Sequence, residues 1–157
     1  MRATTILGLD FGERRIGVAL SDTSKLLASG LMTLDCKQNP KYMDVLAEII
    51  REEEVSEIVI GYPLRTDGKI LPGGKTEAVD AFITRLEEKF KLPVHREDES
   101  FTSQMASASL KTRGGNSMGG KKSGKKHSKR RGQQDKAEID RVAACFILQD
   151  YLDRLRA

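Results

Sequence analysis

The stretch TTILGLDFGERRIGVALSD, residues 4 to 22, decides how this chain begins to fold. Two apolar runs rich in β-compatible residues flank a short polar turn, so the stretch predicts two strands joined by a hairpin. The acid Asp10 closes the first run and is followed at once by Phe11 and Gly12. A charged group beside a core must be hydrogen-bonded, paired or bound to a cation, because burying it bare costs several kcal/mol. Asp10 is therefore the first candidate for a functional residue.

Further strands follow along the chain and then alternate with helices. The apolar run at 27 to 35 completes an antiparallel meander of three strands. Short apolar runs at 56 to 63 and 91 to 98 predict two more strands, the first of them buried and parallel. The order βββαβαβαα predicts one α/β domain spanning residues 1 to 157, with a mixed five-stranded sheet flanked by helices.

The first two helices are predicted from cap residues and from apolar residues at helical spacing. Asn39 offers a cap with Pro40 at the first helical position, which predicts a helix over about 40 to 54. Thr76 is expected to cap the second helix. The apolar face of the second helix is predicted to be Val79, Phe82, Ile83, Leu86 and Phe90.

Two further helices are expected in the last third of the chain. A third helix is predicted from Thr102 to about Lys111. Asp135 and Glu138 resemble a capping box, which predicts a last helix running from there to about residue 155. The apolar face of the last helix is predicted to be Ile139, Val142, Ala143, Phe146 and Ile147.

A basic segment carries the positive charge of the chain. Residues 111 to 136 hold ten Lys/Arg and one acid, whereas the other residues hold 17 basic and 22 acidic side chains. Within it, 113 to 134 has six glycines and one large apolar residue, Met118, so we expect a mobile insert that cannot offset its chain entropy. The predicted contacts to nucleic-acid backbone are Arg14, Arg15, Lys121, Lys122, Lys125, Lys126, Lys129, Arg130 and Arg131.

The composition of the chain limits which class of protein it can be and how it can bind nucleic acid. Aromatic residues make up only 5% of the chain, so backbone charge and shape rather than base stacking should dominate nucleic-acid binding. No run of about 18 apolar residues is present, and the strand pattern leaves no room for a signal peptide, so we expect a soluble, cytoplasmic protein. Cys36 and Cys145 lack CxxC or Cys/His spacing, which favours reduced packing thiols over a disulfide or zinc site.

Acids stand at the ends of three predicted elements. Asp10 ends the first strand, EDE at 97 to 99 ends the last strand, and Asp140 lies near the start of the final helix. Such ends gather at one edge of an open α/β sheet, so we expect these acids to meet. The alternatives are a turn or cap acid for Asp10 and, for Asp140, a surface acid favoured by the helix dipole.

Clustered carboxylates require a cation. Unpaired carboxylates within about 4 Å repel by roughly 4 kcal/mol per pair at an effective dielectric of 20. Oxygen ligands suit hard divalent ions, so we expect two Mg²⁺ or Mn²⁺ ions, which activate a water and stabilise the leaving oxygen of a phosphodiester. Gly12 would let the substrate backbone approach closely, because it has no side chain.

Four motifs carry a resemblance to a known family. LDFGERRIGVALSD (9 to 22), IVIGYPLRTDG (58 to 68), EDESFTS (97 to 103) and EIDRVAACFILQDYLD (138 to 153) resemble the YqgF family, also called RuvX, in order over nearly the whole chain. Its members are RNase H-like proteins described as Holliday junction resolvases and as pre-16S rRNA nucleases. The resemblance implies an RNase H-like fold with a catalytic, metal-binding triplet. The implied triplet is Asp10, Glu99 and Asp140, and the implied bordering residues are Gly61, Pro63, Asp67 and Gly68, with Asp98 as a neighbour of Glu99.

One position departs from the family pattern. The family usually has Arg after its Asp-Glu pair, and this chain has Ser100, so a cation that would steady a carboxylate or phosphate is missing there. Arg14, Arg15 and Arg96 are the candidates to replace it. The intact acids favour catalysis, whereas Ser100 favours a domain that binds RNA without cutting it.

These features predict a metal-dependent endonuclease acting on structured nucleic acid, above all in pre-16S rRNA processing. The alternative is a Holliday junction resolvase, and the alternative of another class is a non-cleaving RNA-binding module of ribosome assembly. The expected partners are structured RNA or branched DNA, and ribosomal precursor particles. A monomer would suit trimming of an RNA end, and a homodimer would suit symmetric cutting of a junction.

Overall fold

The computed structural model describes residues 3–12, 14–62, 75–98 and 125–156, with residues 75 and 125–135 described by their backbone alone. Within these ranges, strands and helices alternate in the predicted order. The elements are β1 (Thr5–Phe11), β2 (Arg15–Ser21), β3 (Ala28–Asp35), α1 (Tyr42–Glu52), β4 (Val55–Tyr62), α2 (Lys75–Phe90), β5 (Val94–Asp98) and α3 (Lys125–Arg156).

The five strands form one mixed sheet in the order β3-β2-β1-β4-β5. The pairs β1/β2 and β2/β3 are antiparallel, as the predicted meander requires. The pairs β1/β4 and β4/β5 are parallel, so the C-terminal ends of β1, β4 and β5 lie at the same edge. The predicted fold class, a mixed five-stranded sheet flanked by helices, is therefore confirmed.

The larger core lies between the sheet and the helices α1 and α2. On β1 and β2, every second residue points into this core, as the two-residue repeat of β-structure requires. The predicted apolar face of α2 is confirmed, because four of its residues are buried and Phe90 packs against them. Phe11 stacks on Phe82 with the ring centroids 4.4 Å apart, which anchors the end of β1 to α2.

The opposite face of the sheet is covered by α3. On β1, Ile6 belongs to this second core, whereas Leu7 and Leu9 belong to the first, so Gly8 and Asp10 share the α3 side with Ile6. A Cβ atom on Gly8 would lie 2.7 Å from Cβ of Leu148, so α3 rests almost directly on the backbone of the central strand. The strand alternation thus assigns Asp10 to the face that α3 covers.

The final helix differs from its predicted start. It begins at Lys125, ten residues before the predicted capping box at Asp135, so residues 125–134 are helical where a mobile insert was expected. Lys, Arg and Gln are good helix formers, and a helix already nucleated by its packed half extends through them at little cost, with Gly132 the main exception. The rest of the predicted insert, 113–124, and the helix predicted over 102–111 lie outside the described residues.

The buried side of α3 is also rotated from the prediction. Ala143 and Ile147 are buried as expected, but Ile139, Val142 and Phe146 are only half-buried. The fully buried side includes instead the residues Ala144, Leu148 and Leu152. The glycines of β1 and β2 provide the reason, because they let this side of the helix approach the strands more closely than side chains would allow.

Both predicted helix caps are wrong. The N-cap of α1 is Lys41, which makes no side-chain cap bond, and Asn39 contributes only its carbonyl oxygen to the amide of Tyr42 at 3.2 Å. Thr76 lies inside α2, one residue after its start, and is buried. Each cap residue was identified from type and position alone, and the observed starts lie within three residues of the predicted caps. None of the described helices combines the length and the apolar character needed to cross a lipid bilayer.

Candidate active site

Asp10 is held near the C-terminal end of β1 in the middle of the sheet. It pairs with Gly17 of β2, and its preceding residue Leu9 pairs with Ile60 of β4. The Asp10 side chain is half-buried. The carboxyl end of a central strand with parallel neighbours is the usual position of a ligand site in an open α/β sheet.

Gly17, the pairing partner of Asp10, allows the backbone of Asp140 on α3 to lie directly on β2. A Cβ atom at Gly17 would overlap the carbonyl group of Asp140, so only glycine allows α3 to lie this close to β2. Because Gly17 is the pairing partner of Asp10, the two acids belong to one small region of the sheet face. Gly17 thus has Asp10 as its neighbour on β1 and the backbone of Asp140 as its neighbour on α3, although the two acids are far apart in the sequence.

Arg15 connects β2 to Asp140. Its Nε donates a hydrogen bond to Oδ2 of Asp140 at 3.2 Å, and the side chains of Arg15 and Asp140 are 19% and 29% exposed. The backbone next to Arg15 is fixed by a tight turn, in which the amide of Gly12 donates to the carbonyl oxygen of Arg15 at 2.8 Å. A Cβ on Gly12 would lie 2.8 Å from that same oxygen, so Gly12 has a structural role in the turn.

The three arginines proposed to replace the cation missing at Ser100 differ in position. Arg14, which directly precedes β2, pairs with Asp35, the last residue of β3, at 3.2 Å. Arg96 pairs with Asp80 of α2 at 3.4 Å, on the face opposite α3. Arg15 contacts a predicted ligand, so it is in a position to steady a carboxylate of the candidate site.

The surroundings of Asp140 disfavour the charged form of its carboxyl group. Burial raises the pKa of the Asp140 carboxyl above its usual value of 3.8, while the hydrogen bond and charge of Arg15, and the charge of Lys136, act in the other direction. Desolvation outweighs both cations. A carboxylate in this state is stabilised when a further positive charge comes near it.

Glu97 lies on the face of the sheet that α3 covers, and the sequence analysis named it only as part of the EDE stretch. It pairs with Gly61 on β4, is only 5% exposed, and forms an ion pair with Arg154 near the end of α3. Asp98 pairs with Tyr62 and is exposed. Strand alternation along 94 to 98 was the signal that could have separated the two acids, because it puts Glu97 on the α3 side.

Several predicted site residues cannot be placed. Those outside the described residues are Glu99, Pro63, Asp67, Gly68, Lys121 and Lys122. The predicted contacts known only by their backbone, all within α3, are Lys125, Lys126, Lys129, Arg130 and Arg131. Within the described ranges, no three His, Cys, Asp or Glu side chains gather closely enough to hold a metal ion.

Comparisons with known proteins agree with the fold and the motifs. The family model RuvX, described as Holliday junction resolvase, matches residues 4–154. A protein of Syntrophus aciditrophicus is 42% identical over 150 residues, covering 96% of this chain and 89% of its own length. A protein of Crocosphaera subtropica is 37% identical over 157 residues, covering 100% and 98%. Both relatives carry the name "Putative pre-16S rRNA nuclease".

Two solved structures share the fold at low sequence identity. Fowlpox virus resolvase in complex with Holliday junction DNA matches with a TM-score of 0.55 and 11% identity, covering 98% of this chain and 100% of that one. Thermus thermophilus RuvC in complex with a Holliday junction matches with a TM-score of 0.50 and 13% identity, covering 97% and 96%. These identities are too low to say more than that the chain has the RNase H-like fold of these resolvases.

Proposed function

Since this chain belongs to the RuvX family, we propose that it is a metal-dependent endonuclease that hydrolyses phosphodiester bonds in structured nucleic acid. The observation that carries the proposal is that α3 rests with the Asp140 backbone on Gly17, the residue that pairs with Asp10 on β1. A binding domain that never cuts gains nothing from negative charge gathered where a phosphate backbone would lie.

The donor chemistry of these acids fits a hard divalent cation. Carboxylate oxygens are the ligands Mg²⁺ and Mn²⁺ prefer, and the partly desolvated Asp140 is stabilised by added positive charge. Asp10 and Asp140 would hold the metal, with Glu99 as the third ligand and two ions expected from the family resemblance. Bound divalent ions supply an activated water and stabilise the charge that develops on the phosphoryl oxygens.

The chain itself contributes orientation. Asp10 is fixed by the β1/β2 pairing, and Asp140 is fixed by a helix that packs on the same two strands. Arg15 holds one oxygen of Asp140 through Nε, which limits rotation of the carboxylate. Acids on a strand and a helix, rather than on loops, keep the site preorganised.

Precursor 16S rRNA is the substrate we propose first, because the relatives at 37% and 42% identity carry that name over nearly their whole length. A four-way DNA junction is the second candidate, because the matching family model is described as a resolvase. Action in the cytoplasm and the oligomeric state stay predictions.

Cleavage of both substrates by the same preparation tests the proposal. Labelled precursor rRNA and a four-way DNA junction are incubated with Mg²⁺, Mn²⁺ or EDTA. Cutting that needs the metal supports the nuclease, and the ratio of the two rates identifies the substrate. Tight binding of RNA without cutting in any metal would overturn it in favour of the non-cleaving assembly module.

Asp140→Asn should separate stability from metal binding. Because folding raises the pKa of Asp140 above 3.8, its carboxyl contributes stability below about pH 3.8 and loses that contribution as the pH rises through the folded-state pKa. In EDTA, the variant's free energy of unfolding should therefore gain on wild type between about pH 3.8 and neutrality. Urea denaturation at several pH values measures this difference.

The same variant should lose its response to metal. A ligand present at 100 times its dissociation constant stabilises a folded protein by about 2.7 kcal/mol. Mn²⁺ should raise the unfolding temperature of wild type, and it should have much less effect on Asp140→Asn. An equal metal-induced rise in both proteins would remove Asp140 from the metal site.

A further inference from the structure

Helix α3 is longer than the sheet that it covers. From its C-terminal end it crosses β5 at Tyr151, which stacks on His95, then β1 at Leu148 and β2 at Asp140. It reaches the edge strand β3 at Ala137, whose carbonyl accepts a hydrogen bond from the hydroxyl of Thr33. The helix continues for 12 residues before Ala137, from 125 to 136, which is roughly 18 Å at 1.5 Å per residue.

Most of the Lys/Arg positions of this overhanging half, residues 125 to 136, share one side of the helix axis. A helical repeat of about 100° per residue places five of the six Lys/Arg positions within about 80° of the direction of Asp140, and Arg131 opposite. The five positions are Lys125, Lys126, Lys129, Arg130 and Lys136. Ala144 and Ile147, which pack on the sheet, lie on that same side of the axis. On this sheet-facing side, the apolar residues of the packed half are thus followed by five Lys/Arg positions of the overhanging half.

An open cavity of about 390 Å³ lies where the two halves meet. It is lined by Met32 and Thr33 of β3 and by Ala137, Glu138 and Arg141 of α3. Arg141 is half-exposed there and lies 3.9 Å from Glu138, so its guanidinium is available at the surface of the corner. The corner between the helix and the edge strand is therefore concave, and the α3 residues that line it lie on both sides of Asp140 in the sequence.

We propose that the phosphate backbone of a bound nucleic acid follows the sheet-facing side of the overhanging half of α3, crosses edge strand β3, and reaches Asp140 and Asp10. This inference rests on the proposed nuclease function, and it names the surface by which the substrate is held. Charge complementarity identifies the occupant, because a row of cations that ends at a nuclease carboxylate fits a polyanion. Such contacts hold the backbone without reading its sequence.

The length of the helix also sets where the substrate is held relative to the cut. Lys129 precedes Asp140 by 11 residues, which corresponds to about 16 Å along the axis. The backbone is therefore gripped at a set distance from the scissile bond, and a substrate must extend at least that far to be held.

A charge-conserving exchange tests the proposed path. In the exchange variant, Lys129→Gln and Arg130→Gln remove two cations from the sheet-facing side. Ser128→Lys and Gln134→Lys restore two cations at positions that lie more than about 100° around the helix axis from the direction of Asp140. In the control variant, Lys41→Gln with Gln38→Lys moves one charge between two exposed positions just before α1, which packs on the face of the sheet opposite α3. All three proteins keep the same net charge, and near-equal helix propensities should keep their circular dichroism the same.

Binding is measured in EDTA by fluorescence anisotropy on a labelled duplex at several salt concentrations. If two phosphate contacts are lost, the slope of log K against log salt should shrink by about 1.8 in the exchange variant. The control should keep the wild-type slope. Equal slopes in wild type and the exchange variant would overturn the proposed path, because net charge alone would then explain binding. Because no metal is present, this result is independent of whether the protein cuts.

Discussion

Asp10→Asn should abolish metal-dependent cleavage while leaving nucleic-acid binding intact or tighter. The substitution removes a carboxylate from the centre of the site without changing its size, so the strand pairing with Gly17 is kept. Loss of a metal ligand removes several kcal/mol of transition-state stabilisation, which corresponds to a fall in rate of about 10³-fold or more. Binding should not fall, because one negative charge facing the phosphate backbone is removed. Single-turnover cleavage and anisotropy measure the two effects separately.

A matched acid provides the control for this variant. Asp44 is exposed on α1, on the opposite face of the sheet, and pairs with the exposed Lys89 at 3.3 Å. Asp44→Asn changes the net charge by the same amount and should cut at the wild-type rate. If Asp10→Asn also cuts at the wild-type rate, the metal mechanism proposed for this site is wrong.

Gly17→Ala should damage both stability and activity. The added Cβ would overlap the carbonyl group of Asp140, and a helix backbone cannot move aside as a side chain can. Overpacking of this kind costs typically about 1 to 3 kcal/mol of unfolding free energy. The displacement of α3 also carries Asp140 away from Asp10, and a misplacement of about 1 Å in an active site can cost about 10²-fold in rate. Urea denaturation and the cleavage assay would each record a loss.

Gly30→Ala is the comparison that isolates this contact. Gly30 lies on the neighbouring strand β3, and its added Cβ would meet Cγ of Arg141 at 2.8 Å. Arg141 is half-exposed and flexible, so it can shift at little cost. We expect a change in stability well below that of Gly17→Ala. Equal losses in the two variants would mean that α3 yields at Gly17 and that the site does not depend on this close approach.

The strands and their order could be predicted because hydrophobic periodicity is a local signal. The fourth strand, expected over 56 to 63, occurs as Val55–Tyr62, and the apolar face of α2 is the predicted one. Helix beginnings were less predictable, since Asn39 and Thr76 have the right chemistry for caps but not the tertiary position. The start of α3 at Lys125 was missed because glycine and charge suggested disorder, whereas the packed half of the helix favours its extension.

The position of Asp10 could be predicted because it ends a strand. Asp140 was expected near the start of the last helix but lies 15 residues after the start of α3, and it is the contact of its backbone with Gly17 that places it beside the partner of Asp10. The pairing of Arg15 with Asp140, and of Glu97 with Arg154, depends on which turn of α3 crosses which strand. That register is set by the glycines under the helix, and no pattern within a single element reports it.

The bond between Arg15 and Asp140 joins positions 125 residues apart. During synthesis from the N-terminus, the strand that carries Asp10 leaves the ribosome before the helix that carries Asp140 is made. A chain that has been made only as far as β5 therefore holds one of the two acids and cannot yet complete the candidate site.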